Sequence, residues 1–431
     1  MAYRNTLLQN NVHVDSVNGN DVSAVKYNIL HSYKTINAAK LAANSGDVII
    51  VLPGNYTENV NLYKDGITYY FYPEAKVDTF FGSPLFQSTL AGENCEVYGY
   101  GDFHNNMLGV PSVGGIVSGI VQSTFYIQCN NISGLGDPIG IVDGFITIKA
   151  NNITSTSNAA VNFRDSAFGI GDNYLLITCN RIESFSVSGN NSVINNGTGG
   201  PGFDGRVRIE ADKIAGSPNS DNRILFADNF VVPNARTSVE IICNEFEVLN
   251  LTGNREVLEF IFTDNTKWII KGNINIPSGS RKGLYTAFPN TGSEIFYEGE
   301  IRTATGNAVE TNASGETVRL KGKFTSGNAQ TMLISGSTAK VFIDGEIVNT
   351  VDAGVGITKG TVAPSNEIVI GDLKIITNAG LSISAVGGDT VKVIHSFATN
   401  NDSSPVLPTI NSINPAGVAN KSVAYFDAGV E

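Results

Sequence analysis

Charge is scarce in this chain. Only 16% of its 431 residues are Asp, Glu, Lys or Arg, against roughly 25% in an ordinary soluble domain. That disfavours a helical bundle, whose exposed faces are written in Glu, Lys and Arg. Cations are the scarcer sign: 28 Lys and Arg stand against 40 Asp and Glu, a net −12. With no basic run of five or more, nucleic acid is not an expected partner, because phosphate binding needs clustered Lys and Arg. Long apolar runs are missing too, and none approaches the ~20 residues of a membrane span. The first ten residues lack the apolar core of a secretion signal, so either assembly in a cytoplasm or prior removal of a leader is expected. Cysteine is confined to Cys95, Cys129, Cys179 and Cys243, with no CxxC pair. Zinc and redox chemistry are therefore not indicated, and no cofactor or metal is implied.

What is present is corner chemistry: 46 Gly and abundant Asn, Ser and Thr, which suit many tight turns and solvated β-surface. The stretch Gly46-Asp47-Val48-Ile49-Ile50-Val51-Leu52-Pro53-Gly54-Asn55 shows the unit. A β-branched run is entered from a Gly-Asp turn and left through Pro-Gly-Asn. A further strand is expected to be led by Val60 and Leu62. Upstream, Val12, Val14 and Val17 hint at a strand. Residues 32–44 read as the one clear helix, with Thr35 as N-cap, Ile36, Ala39 and Ala43 on one face, and Gly46 in the C′ role.

From residue 126 a motif recurs. Its first form is Ile127-Gln128-Cys129-Asn130-Asn131-Ile132, repeated around Ala150, Cys179, Ala211 and Cys243. Its second form is Ile270-Lys271-Gly272-Asn273-Ile274, repeated around Gly299, Gly322, Gly345 and Gly371. The small position thus falls at 129, 150, 179, 211, 243, 272, 299, 322, 345 and 371, with steps of 21 to 32 residues. Such periods mean stacked one-coil units, with loop length as the variable. In the first form two polar residues separate inward positions, which requires a bend; Asn there would tolerate a left-handed backbone. In the second form parity is kept and Gly is expected to face inward where backbones come close. The cross-section is expected to change between 246 and 272. Cys129, Cys179 and Cys243 share the inward position on alternate coils, about 10 Å apart. A disulfide needs Cα atoms within about 7 Å, so buried free thiols are expected. Trp268 shares the parity of Ile270 and is read as core.

The order Asn18-Gly19-Asn20-Asp21, Tyr33-Lys34-Thr35-Ile36, Gly46-Asp47-Val48-Ile49-Ile50-Val51, Pro53-Gly54-Asn55-Tyr56 resembles the N-terminal cap and first coil of the pectate-lyase-like superfamily. The resemblance implies an all-β, single-stranded right-handed parallel β-helix of about a dozen coils with an N-terminal capping helix. Residues 1–62 would be lead-in, cap and first coil; 63–399 the β-helix, with 107–121 an excursion; 400–431 an arm and a last strand.

The superfamily spans lyases, hydrolases, surface proteins and phage spikes, so fold alone does not give function. An enzyme of this kind would set carboxylates on neighbouring coils. Asp165, Asp172, Asp204, Arg206, Asp221 and Asp228 are the candidates, against a plain reading as turn residues. Asp-Asp, Gly-His-Gly and Asp-His sequences are lacking, and His13, His31, His104 and His395 are scattered. The Gly-rich loop 199–204 stands in no strand-to-helix context, so it is no phosphate cradle. A binding reading rests on Tyr69, Tyr70, Phe71, Tyr72, Tyr98, Tyr100, Tyr285 and Phe288, about half of which must face inward. The acidic, Asn- and Gly-rich solenoid with free thiols also resembles phage fibre, spike and decoration proteins. That resemblance implies a homotrimeric virion appendage beside other virion proteins, with host-surface polysaccharide as a further contact. No catalytic, binding or metal residue is assigned. The alternatives are a polysaccharide-degrading tailspike with loop carboxylates between 160 and 230, or an extracellular protein.

Overall fold

The computed structural model describes residues 10–79, 94–106, 113–115, 124–141, 144–163, 173–186, 192–196, 205–217, 223–228, 237–250, 255–261, 263, 265–289, 292–335, 340–352, 354–359, 367–378, 383–384, 390–400 and 413–414. The chain is all-β, in long all-parallel stacks consistent with a parallel β-helix. It divides into two compact units, 1–212 and 213–431.

In the first unit three parallel ladders rise together. One runs through Asn11–Val14, Val48–Val51, Ile67–Phe71, Asn94–Gly99, Thr124–Gln128 and the first halves of Phe145–Ser155 and Asn173–Ser184. A second runs through Gly54–Thr57, Ala75–Thr79, Asp102–Asn105, Asn131–Gly134 and the second halves of those two long strands. The third joins Val113–Gly115, Ile139–Ile141, Val161–Phe163 and Ser192–Asn196. Period-2 patterning drives this: Ile67, Tyr69 and Phe71 are buried, while Thr68 and Tyr70 look outward. The register then aligns like with like. Val12, Ile49, Tyr69, Val97, Ile127, Ile148 and Ile177 form one buried column. Each such aliphatic side chain contributes roughly 1.5–3 kcal/mol on burial.

Several boundaries differ from the sequence reading. The second strand of the opening unit is Gly54–Thr57, not one led by Val60 and Leu62, because Gly54 turns the corner at φ +150°. Val60 and Leu62 are buried without joining a strand. Val17 lies outside its strand and is exposed. Part of the expected excursion, Val113–Gly115, is a strand, and Ile413–Asn414 pairs with Ile383–Ser384 inside the expected arm. The terminal strand expected at Val423–Phe426 lies outside the described residues.

The helix covers Ile36–Ala42, shorter than expected, with a 3-10 turn at Ile29–His31 before it. It rests on Asn11–Val14 and Val48–Val51. Thr35 accepts from the Ala38 N–H as foreseen. Gly46 is not its C′ residue: Ala43 closes the helix, and the Gly46 N–H goes to the Gly66 carbonyl in a later turn. A helix of two turns is marginal by itself, and here both ends are held from outside. The Glu58 carboxylate accepts from the Ile36 and Asn37 N–H groups at 2.8 and 2.9 Å. The Lys64 ammonium donates to the Lys40 and Ala43 carbonyls, both at 2.6 Å. An anion at the N-terminus and a cation at the C-terminus oppose the helix dipole, and one connecting segment supplies both.

The repeated corner is built differently from the expectation. No Asn of the motif is left-handed: among the described residues, Tyr27, Glu74 and Asn265 are the non-glycines with positive φ. The asparagines stack instead. Asn130 and Asn131 both donate to Asp102 Oδ1, at 2.8 and 2.7 Å. Asn151 donates to Asn130 at 2.6 Å, Asn152 to Asn131 at 2.8 Å, and Asn180 to Asn151 at 3.5 Å. Coil stacking places identical amides one rung apart, where each is donor below and acceptor above.

In the second unit the long strands Ser238–Glu247, Lys267–Ile276, Glu294–Thr303, Thr317–Ser326, Lys340–Asp352, Glu367–Asn378 and Thr390–Asn400 form one ladder. A short-strand ladder accompanies it from Arg223–Asp228 to Ile413–Asn414. The corner does change where expected, with a register shift after Ile242 as Gly272 replaces a two-residue step. Gly299, Gly322 and Gly345 stack in register at φ +152°, +143° and +119°. Their missing Cβ points along the stack rather than inward. At Gly322 it would stand 1.9 Å from the Gly299 carbonyl oxygen. Gly371 leaves this column, because Gly345 pairs with Leu373 after a second shift.

Two measurements check this account. Gly322→Ala is expected to cost more than about 3 kcal/mol, combining a clash with a strained φ, as a drop in the denaturation midpoint. Glu58→Ala, which strips two N–H groups of a charged acceptor, is expected to cost about 2 kcal/mol. A value near zero would mean the helix is not held from this segment.

Candidate functional site

Most of the loop carboxylates named from the sequence fall outside the described residues. Asp165, Asp172, Asp204 and Asp221 lie outside the described residues, as does the loop 199–204. Asp228 ends a strand opposite Ile261, and Arg206 is exposed on a strand. His104 is engaged with Ser133 and Asn106 at 2.7 and 2.8 Å. His395 stands opposite Asp372 in the ladder. Among the described residues no three His, Cys, Asp or Glu converge as a metal site would require.

Three surfaces carry chemistry. The first is an outward aromatic face in the first unit. Tyr69 and Phe71 are core, and the alternation turns Tyr70 and Tyr98 outward on paired rungs. Tyr98 lies 5.0 Å from Tyr126, and Tyr70 lies 5.4 Å from Tyr72, ring centre to ring centre. Tyr72 and Tyr100 are 42% and 57% exposed, so their rings meet solvent. Hydrogen-bonding groups border the rings: Glu96 accepts from Tyr98, Gln128 accepts from Tyr126, and Lys149 sits over the Tyr126 ring. Tyr126 was not singled out from the sequence. Its signal was the outward parity of Tyr126 within Thr124–Gln128.

The second is an ionic cluster on the short-strand ladder of the second unit, where Glu259, Tyr285 and Glu310 occupy one column. The buried pair Arg223–Glu259 is in contact, with the guanidinium over Phe226. Lys282 reaches Glu310 at 3.0 Å and Glu256 at 3.6 Å, above the Tyr285 ring at 4.1 Å. Each carboxylate faces a cation on a neighbouring segment. The cluster fastens rung to rung, and Tyr285 belongs to this ionic tie. The side chain of Phe288 lies outside the described residues.

The third is a groove of about 300 Å³ on the outer side of the long-strand ladder of the second unit. Ile269 and Phe296 sit on paired rungs at its floor, with Glu240 and Arg319 on the rungs to either side of them. Lys267 and Glu294 border it on paired rungs. Trp268 is fully buried beneath, as its parity required.

The cysteines are structural. All four are free and buried, and Cys179 is in register with Ala150. Burial pushes the Cys95 and Cys179 thiols up to about 12, and raises Cys129 and Cys243 as well. At pH 8 a thiol of that kind is thiolate at a fraction on the order of 10⁻⁴. The folded protein is expected to give no fast reaction with a thiol reagent up to pH 9, and four equivalents once denatured. A rapid equivalent in the native state would place one of these thiols at the surface. No family model, curated protein or solved structure matches the chain.

Proposed function

We propose that this chain is a structural appendage of a virion, a fibre, spike or decoration subunit, that touches host-surface glycans with its lateral faces. The observation that carries the glycan part is the outward tyrosine face. Rings on successive rungs, edged by Glu96, Gln128 and Lys149, offer apolar area and hydrogen-bonding groups together, which is what a sugar ring needs. The appendage part rests on the acidic, Asn- and Gly-rich composition with buried free thiols and on stacks of in-register rungs, which suit a scaffold for display. On the same reading the stack is a right-handed parallel β-helix of about a dozen coils, and the helix Ile36–Ala42 covers the edge of its first coil, which would otherwise invite strand addition. The assembly is a homotrimer beside other virion proteins.

Two measurements test the proposal. Mass in solution is expected near 3 × 45.7 = 137.1 kDa; a clean monomer counts against the trimer. On a glycan array, Tyr98→Ala and Tyr100→Ala are each expected to weaken retention two- to tenfold, the range of a single aromatic contact. Retention by no glycan at all would sink the binding role.

A further inference from the structure

We propose that the groove over Ile269 and Phe296 is a second glycan subsite, selective for a sugar ring that carries a carboxylate. The inference rests on the glycan-contacting reading above, at a different place on the molecule. Its basis is a pair of cations with no carboxylate partner at one groove, in a chain of net −12. Lys267 and Arg319 border the groove, and neither meets a carboxylate among the described residues. Arg319 instead stacks on Phe342 at 4.2 Å, which fixes the plane of its guanidinium and leaves its N–H groups for another acceptor. By contrast Lys271, at the groove's edge, is already tied to Glu298 at 3.2 Å.

The acceptors matter as much. Glu294 is exposed and has no partner among the described residues, although its backbone pairs with that of Lys267. A site for a simple anion would exclude such a carboxylate, since like charges repel. A ligand that donates hydroxyls to Glu294 while presenting one anion to Lys267 and Arg319 satisfies all three. The half-buried Ile269 and Phe296 supply the apolar floor for the ring face. The volume of about 300 Å³ is at the small end of ligand clefts, fitting a sugar unit or two rather than a folded partner.

The test is calorimetric titration of the full chain with oligosaccharides of galacturonate, glucuronate and N-acetylneuraminate, each beside its carboxyl-reduced counterpart. At least one acidic oligosaccharide is expected to bind ten times tighter or more than its neutral form, with affinity falling as salt rises. Arg319→Gln and Lys267→Gln should each abolish most of that preference, and Tyr98→Ala should leave it intact. Emission of Trp268, buried under the groove, reports that the variants are folded. Equal binding of acidic and neutral forms, or unchanged preference in Arg319→Gln, overturns the proposal. So does the absence of acidic binding at millimolar concentration. In each of these cases the tyrosine-face reading survives if Tyr98→Ala still lowers glycan retention, so the two can fail separately.

Discussion

Parallel rungs about 4.8 Å apart impose one demand on this chain: whatever stands at a position must tolerate a near-copy of itself directly above and below. Aliphatic side chains meet that demand by dispersion and burial, which explains the inward columns of Val and Ile. Asparagine meets it by being donor and acceptor at once. Glycine meets it by having no side chain where one rung's backbone approaches the carbonyl of the next. Like charges fail it, and the outer columns respond by alternating sign. Lys271, Glu298 and Lys321 follow one another on successive rungs, with Glu298 at 3.2 and 2.9 Å from its neighbours.

Much of this was legible in the sequence, because a stack converts period into position. The repeated small residue located the corner, and the parity of Trp268 and the cysteines located the core. The change of corner after 246 was visible as the loss of one residue. What was not legible was which atoms the corner residues use. An Asn in a turn usually signals backbone freedom, yet here its amide is spent on the neighbouring coil, a partner 21 or 29 residues away. The stacked glycines were misplaced for the same reason: parity says inward or outward, and the third direction, along the stack, has no signature in one coil's sequence. Gly371 shows the limit, since the spacing kept its phase while the ladder slipped.

The candidate surfaces were less readable. Four of the loop candidates, Asp165, Asp172, Asp204 and Asp221, lie outside the described residues. The chemistry of the described residues sits on strand faces, where outward residues from separate coils assemble a surface none of them contains alone. Tyr98 with Tyr126, or Ile269 with Phe296, are neighbours only through the register. The helix shows the same principle in small: Glu58 and Lys64, six positions apart in one connecting segment, find the two ends of a seven-residue helix.

The asparagine ladder also has a direction. Each amide gives its proton to the rung before it, and the series closes on Asp102, which can only accept. An interior member can be duplicated or deleted with no unpaired group left behind, since its neighbours present the same donor and acceptor. The carboxylate at the foot has no such freedom. The ladder is thus a polymer with one defined terminus, anchored where Asp102 begins it.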